Sequence, residues 1–108
     1  MTLSEQEFRI KSDDALQQAR RALMSLADDD AGFELELQNG VLNLVFEEPS
    51  ETKFVVSPNA PVRQIWVSAM SRSFKLSWAS EAGAFALDGE RLPTLLDRLA
   101  RQFLSTSA

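Results

Sequence analysis

Residues 33–46 read Phe-Glu-Leu-Glu-Leu-Gln-Asn-Gly-Val-Leu-Asn-Leu-Val-Phe, and no other stretch leaves the chain so few ways to fold. Phe33-Glu34-Leu35-Glu36-Leu37 alternates apolar with acidic residues, the period of a strand that buries one face. Asn39-Gly40 follows, the pair that best tolerates the positive φ angles of a type I′ hairpin turn. A two-residue loop there sets Gln38 opposite Val41, Leu37 opposite Leu42, Leu35 opposite Leu44 and Phe33 opposite Phe46. In that register the apolar residues of the inner pairs all share one face, while Glu34, Glu36, Asn43 and Val45 share the other. An antiparallel sheet with one apolar face is therefore expected, and such a face must be covered.

Two amphipathic helices are available as cover. Phe8, Ala15, Leu16, Ala19, Leu23 and Leu26 recur at helical spacing and predict a helix over 8–27, broken by Asp28-Asp29-Asp30-Ala31-Gly32. Leu92, Leu95, Leu96, Leu99 and Phe103 trace the stripe of a second helix, with Pro93 in its first turn, where a missing N–H costs little. Between the helices, further strands are expected over 52–57, 63–69, 73–78 and 84–87. A rigid loop spans Ser57-Pro58-Asn59-Ala60-Pro61, and Asp88-Gly89 forms a turn. The expected fold is α+β: a two-layer α/β sandwich whose antiparallel sheet of about six strands is covered on one face by N- and C-terminal helices. A single domain over 1–108 follows from the length, since splitting 108 residues would leave each half short of a core.

On the strand over 63–69, alternation puts Ile65 and Val67 on one face and Gln64, Trp66 and Ser68 on the other. Slipping by one residue would bury Trp66 but expose two β-branched residues. The expected arrangement therefore leaves Trp66 on the open face, where tryptophans are frequent anchors of protein contacts. Arg63, Arg72 and Lys75 lie on or beside adjacent strands and either face an acidic partner or merely balance surface charge.

Composition excludes several chemistries. The chain has no cysteine and no histidine, so disulfides, thiolate or imidazole metal ligands and a Ser-His pair are all absent. Ser68, Ser71, Ser73 and Ser77 consequently have no general base to activate them. Any metal must be held by oxygen, and carboxylates are hard donors suited to iron, Mn²⁺, Ca²⁺ or Mg²⁺. The acidic run at 28–30 fits either such a role or a plain solvated turn. A net charge of −5 disfavours nucleic acid and anionic membranes as partners. Met1-Thr2-Leu3-Ser4-Glu5-Gln6-Glu7 carries neither a basic n-region nor a long apolar stretch, so a cytoplasmic protein is expected.

Three stretches together resemble the frataxin family, and specifically its bacterial, CyaY-like branch. They are Asn39-Gly40-Val41-Leu42, Pro61-Val62-Arg63-Gln64-Ile65-Trp66-Val67-Ser68, and Asp88-Gly89 ahead of a leucine-rich helix. The Gln-Ile-Trp tripeptide followed by an aliphatic residue and Ser is the most specific of these. The resemblance implies an iron-binding accessory of iron–sulfur cluster assembly that docks on the cysteine desulfurase and its scaffold as a monomer and makes no bonds itself. It implies weakly bound iron on an acidic ridge, for which the candidates are Asp13, Asp14, Asp28, Asp29, Asp30, Glu34 and Glu36. It also implies a docking surface at Gln64, Trp66 and Lys75. The ridge is thinner than the family's, since Gln17, Gln18, Arg20 and Arg21 occupy the second half of the first helix. That thinning makes the iron oxidation credited to some frataxins doubtful here. A small acidic chaperone or adaptor, binding a client through the open sheet face, fits size and charge as an alternative.

Overall fold

The computed structural model describes residues 3–28, 33–47 and 51–105. The first helix, α1, runs Glu5–Asp28 and so begins a turn earlier than its apolar spacing predicts. The reason is a capping box. Ser4 N–H donates to Glu7 Oε1 at 3.0 Å, and Glu7 N–H donates to Ser4 Oγ at 3.1 Å. These bonds supply partners for N–H groups that the first turn leaves without any. The bonds from the Ser4 backbone and then its hydroxyl hold the Glu7 carboxyl below the usual carboxylate range. Arg9 pairs with Glu5 one turn back, an exposed contact that adds little.

The first hairpin takes the predicted register. Strands β1 (Phe33–Gln38) and β2 (Val41–Phe46) pair Phe33 with Phe46, Leu35 with Leu44 and Leu37 with Leu42, and Asn39 and Gly40 both have positive φ. Strand β3 (Thr52–Asn59) extends two residues past its expected end, so Pro58 stays in the sheet opposite Ile65. The expected rigid loop is thereby shortened to a 3₁₀ turn, Ala60–Val62. Arg63 leaves that turn at φ 53°, and its guanidinium donates to the Leu3 carbonyl at 3.1 Å and to the Ala60 carbonyl. Strands β4 (Gln64–Ala69), β5 (Arg72–Ala79) and β6 (Ala84–Leu87) follow. A seventh strand, β7 (Glu90–Arg91), then pairs with β6 across the Asp88-Gly89 turn. Two residues are too short for any periodicity to announce. The sheet is one antiparallel meander in the order β1 to β7, and α2 (Leu92–Ser105) closes the chain.

Both helices cover the same sheet face. Leu16, Ala19 and Leu23 of α1 and Leu95, Leu96 and Leu99 of α2 are fully buried with Leu42, Leu44, Phe54, Val56, Ile65 and Leu76 of the sheet. Phe46 is the hub of an aromatic group, with ring centroids 4.9 Å from Phe33, 4.7 Å from Phe54 and 4.8 Å from Phe103. A second group joins Phe8 to Phe85 at 5.7 Å and Phe85 to Trp78 at 5.3 Å. Trp78 faces this layer but is only half-buried, with the Lys11 ammonium 4.6 Å from its ring centre. Arg98 on α2 grips both oxygens of Glu90 on β7 at 2.9 Å each, which keeps the Glu90 carboxyl below its ordinary value.

The β4–β5 turn contains a conformational cost. Met70 and Ser71 occupy its two central positions at φ 51° and 61°, the left-handed region that L side chains enter only with strain. Met70 packs against the core, whereas Ser71 is exposed. Ser71→Gly is therefore expected to raise stability by about 0.5–1 kcal/mol, the relief of left-handed strain less the extra entropy of the unfolded chain. Chemical denaturation checks this; an unchanged or lowered midpoint would mean that the turn is not strained.

Candidate functional site

The sheet face turned away from the helices is open, and the strand register arranges it in rows. One row runs Ser57, Trp66, Lys75; the next runs Asn59, Gln64, Ser77, Ala86, Arg91. Trp66 stands near the centre of the face and is 36% exposed, while its strand neighbours Ile65 and Val67 are 0% and 1% exposed. The alternation of β4 decides this, because burying Ile65 and Val67 under the helices forces Trp66 outward. Val41, Val45 and Val55 on β2 and β3 add partly exposed apolar surface to the same face.

The indole is held from two sides. Its Nε1–H donates to Gln64 Oε1 at 2.9 Å, and Gln64 Nε2 donates to Ser77 Oγ at 3.2 Å. The Lys75 ammonium lies 4.8 Å from the ring centroid, a cation–π contact from the adjacent strand. The residues marked out on this face by the sequence, Gln64, Trp66 and Lys75, are thus brought together. Ser77 joins them unannounced. Its place opposite Gln64 depends on the β4–β5 register, and a Met70-Ser71 turn carries no glycine or asparagine to reveal that register.

The two arginines grouped with Lys75 in the sequence are engaged elsewhere. Arg63 is committed to the Leu3 and Ala60 carbonyls. Arg72 pairs with the buried Ala69 at the sheet's rim and lies 4.9 Å from the Phe74 ring. Lys75 is the member of that trio whose charge stands on the open face beside Trp66.

The described acidic candidates, Asp13, Asp14, Glu34 and Glu36, are dispersed. Glu34 and Glu36 are exposed on the open face of β1, an edge strand, on the side of the sheet opposite α1. Asp13 lines a groove of about 300 Å³ with Gly40, Pro58 and Ala60. Asp14 lines a different one of about 260 Å³, with Trp78, Arg91 and Pro93. Each aspartate also accepts a hydrogen bond from the amide one turn on, Asp13 from Gln17 at 3.0 Å and Asp14 from Gln18 at 2.9 Å. Asp28 ends α1, and Asp29 and Asp30 lie outside the described residues. Among the described residues no group of three or more Asp, Glu, His or Cys side chains is placed to hold a metal ion. The described donors do not fit a resident iron centre, which needs several oxygens converging on one point. No helix among the described residues is long and apolar enough to cross a membrane.

Known proteins resemble this chain over most of its length. The frataxin-like domain matches residues 1–106. A Pseudomonas aeruginosa protein named iron-sulfur cluster assembly protein CyaY is 38% identical over 89 residues, covering 79% of this chain and 77% of its own. Its namesake from Pseudomonas fluorescens is 30% identical over 109 residues, covering 98% and 94%. The one from Azotobacter vinelandii is 32% identical over 101 residues, covering 92% and 87%.

Proposed function

The chain belongs to the frataxin family, in its bacterial CyaY-like branch, and from that premise we propose that it is an accessory of iron–sulfur cluster assembly. In this reading it docks through its open sheet face on a cysteine desulfurase and its scaffold, as a cytoplasmic monomer. The observation that carries the reading is Trp66: a large aromatic, more than a third exposed, on a sheet face that no described helix covers. An exposed indole costs little to desolvate and brings a large, rigid contact area, which is why tryptophan dominates the centres of protein interfaces. Lys75 beside it would meet a carboxylate of the partner.

Iron enters as cargo. Glu34 and Glu36 on β1, Asp13 and Asp14 on α1, and the run Asp28, Asp29 and Asp30 would attract it as a diffuse field of carboxylates without a built coordination sphere. The work done on the assembly complex is then to bias its conformation or hold its parts together, since the chain brings no nucleophile–base pair.

The test is reconstitution. With a cysteine desulfurase and scaffold pair, the chain should be retained in a pull-down and should change the rate of sulfide production. Absence of both effects, at concentrations where a frataxin of the same species acts, would reject the proposal.

A further inference from the structure

We infer that Gln64 and Ser77 are positioning residues, which fix the indole of Trp66 in its docking orientation before any partner arrives. This rests on the docking proposal above and adds to it how the site is made ready.

The chain of bonds admits one polarity. An indole N–H can only donate, so the Gln64 atom at 2.9 Å from Trp66 Nε1 must be the amide oxygen. The amide nitrogen is thereby turned toward β5, where it donates to Ser77 Oγ at 3.2 Å. Ser77 therefore holds Gln64, and Gln64 holds Trp66. The strand register makes this possible, because Gln64 and Ser77 are directly opposed across β4 and β5, and Trp66 and Lys75 are the next opposed pair on that face. Gln64 and Trp66, two apart on one strand, point the same way.

Lys75 completes the restraint. Its ammonium sits 4.8 Å from the ring centre, so both the edge and a face of the indole are engaged within the chain. A free tryptophan side chain on a sheet surface samples several rotamers, and each must be given up on binding. A ring already held in one of them loses less freedom at the moment of association. The glutamine and serine thus strengthen docking without themselves needing to touch the partner.

The experiment separates positioning from contact. In a Trp78→Phe background, Trp66 is the sole tryptophan and its fluorescence anisotropy and indole N–H resonance report on the ring alone. Gln64→Leu and Ser77→Ala should each lower the anisotropy, shift the indole N–H resonance and speed its exchange in the free protein. Each should also weaken binding to the desulfurase–scaffold pair by about threefold to tenfold, the usual cost of immobilising one side chain on association, with the melting midpoint lowered by at most a few degrees. Gln64→Glu keeps an acceptor for the indole and should restore both signals. Unaltered indole signals in Gln64→Leu would overturn the inference, as would wild-type binding by both variants. Failure of the wild-type chain to bind, with the indole restrained as described, would instead remove the docking proposal on which it rests.

Discussion

Trp66→Ala is expected to weaken the complex with a cysteine desulfurase and its scaffold about thirtyfold while leaving the fold intact. The size follows from the usual cost of removing a central interface tryptophan, about 2 kcal/mol or more. Stability should fall far less than for a core aromatic, because Trp66 is 36% exposed and its strand is anchored from the other side by Ile65 and Val67, at 0% and 1% exposure. Truncation releases Lys75 and Gln64 to solvent, where both remain satisfied. The separation of effects is the point of the measurement. Affinity by calorimetry and the midpoint of a thermal melt, taken on the same samples, must diverge. If affinity stays within threefold of wild type, Trp66 is an exposed residue without a docking role.

The opposite pattern is expected at Phe46. This residue is 1% exposed, and its ring stacks on Phe33, tilts against Phe54 and meets Phe103 edge-on. It thereby joins the first hairpin to β3 and to the last turns of α2. Phe46→Ala removes those contacts and leaves a cavity that a meander closed by two helices can relax into only partly, a loss of about 3–5 kcal/mol. Domains of this size have roughly 5–15 kcal/mol in total. The melting midpoint should drop by roughly 15 °C or more, and near-ultraviolet circular dichroism should show loosened aromatic packing well below the wild-type transition. A loss under about 1 kcal/mol would mean that the aromatic group repacks around the gap.

The two variants also distinguish the roles of the two faces. On the helix-covered face, residues are chosen for volume. On the open face they are chosen for what they offer to something else, and a core argument has no power there. The acidic residues belong to neither class cleanly. Glu34 and Glu36 lie at an edge strand, where charge also guards against pairing with a second sheet. Asp13 and Asp14 are each tied to a glutamine of their own helix.

Much of this was legible in the amino acids. The register of the first hairpin followed from the Asn39-Gly40 turn and from strict alternation on both sides of it, because a two-residue loop permits one pairing and a slip would expose every leucine. The exposure of Trp66 followed from the same period of two on β4. The earlier start of α1 was written in Ser4 and Glu7 but is easily passed over, since its apolar stripe begins only at Phe8. By contrast, β7 was too short to carry a pattern, and the extension of β3 through Pro58 overrode the usual reading of proline as a strand end.

What only the tertiary structure decided is which side chains meet. Local sequence placed Gln64 and Trp66 on one face, since alternation is a property of a single strand, and the frataxin resemblance added Lys75 from the next one. It did not place Ser77 against Gln64, because that contact belongs to the pairing of β4 with β5 across a turn whose residues, Met70 and Ser71, enter the left-handed region without the usual markers. Nor could it tell that Asp13 and Asp14, adjacent in the chain, face different grooves while Glu34 and Glu36 lie across the sheet. Neighbours on a helix are turned about 100° from each other, and a sheet separates its two faces by a full layer, so acidic residues close in sequence need not be close in space.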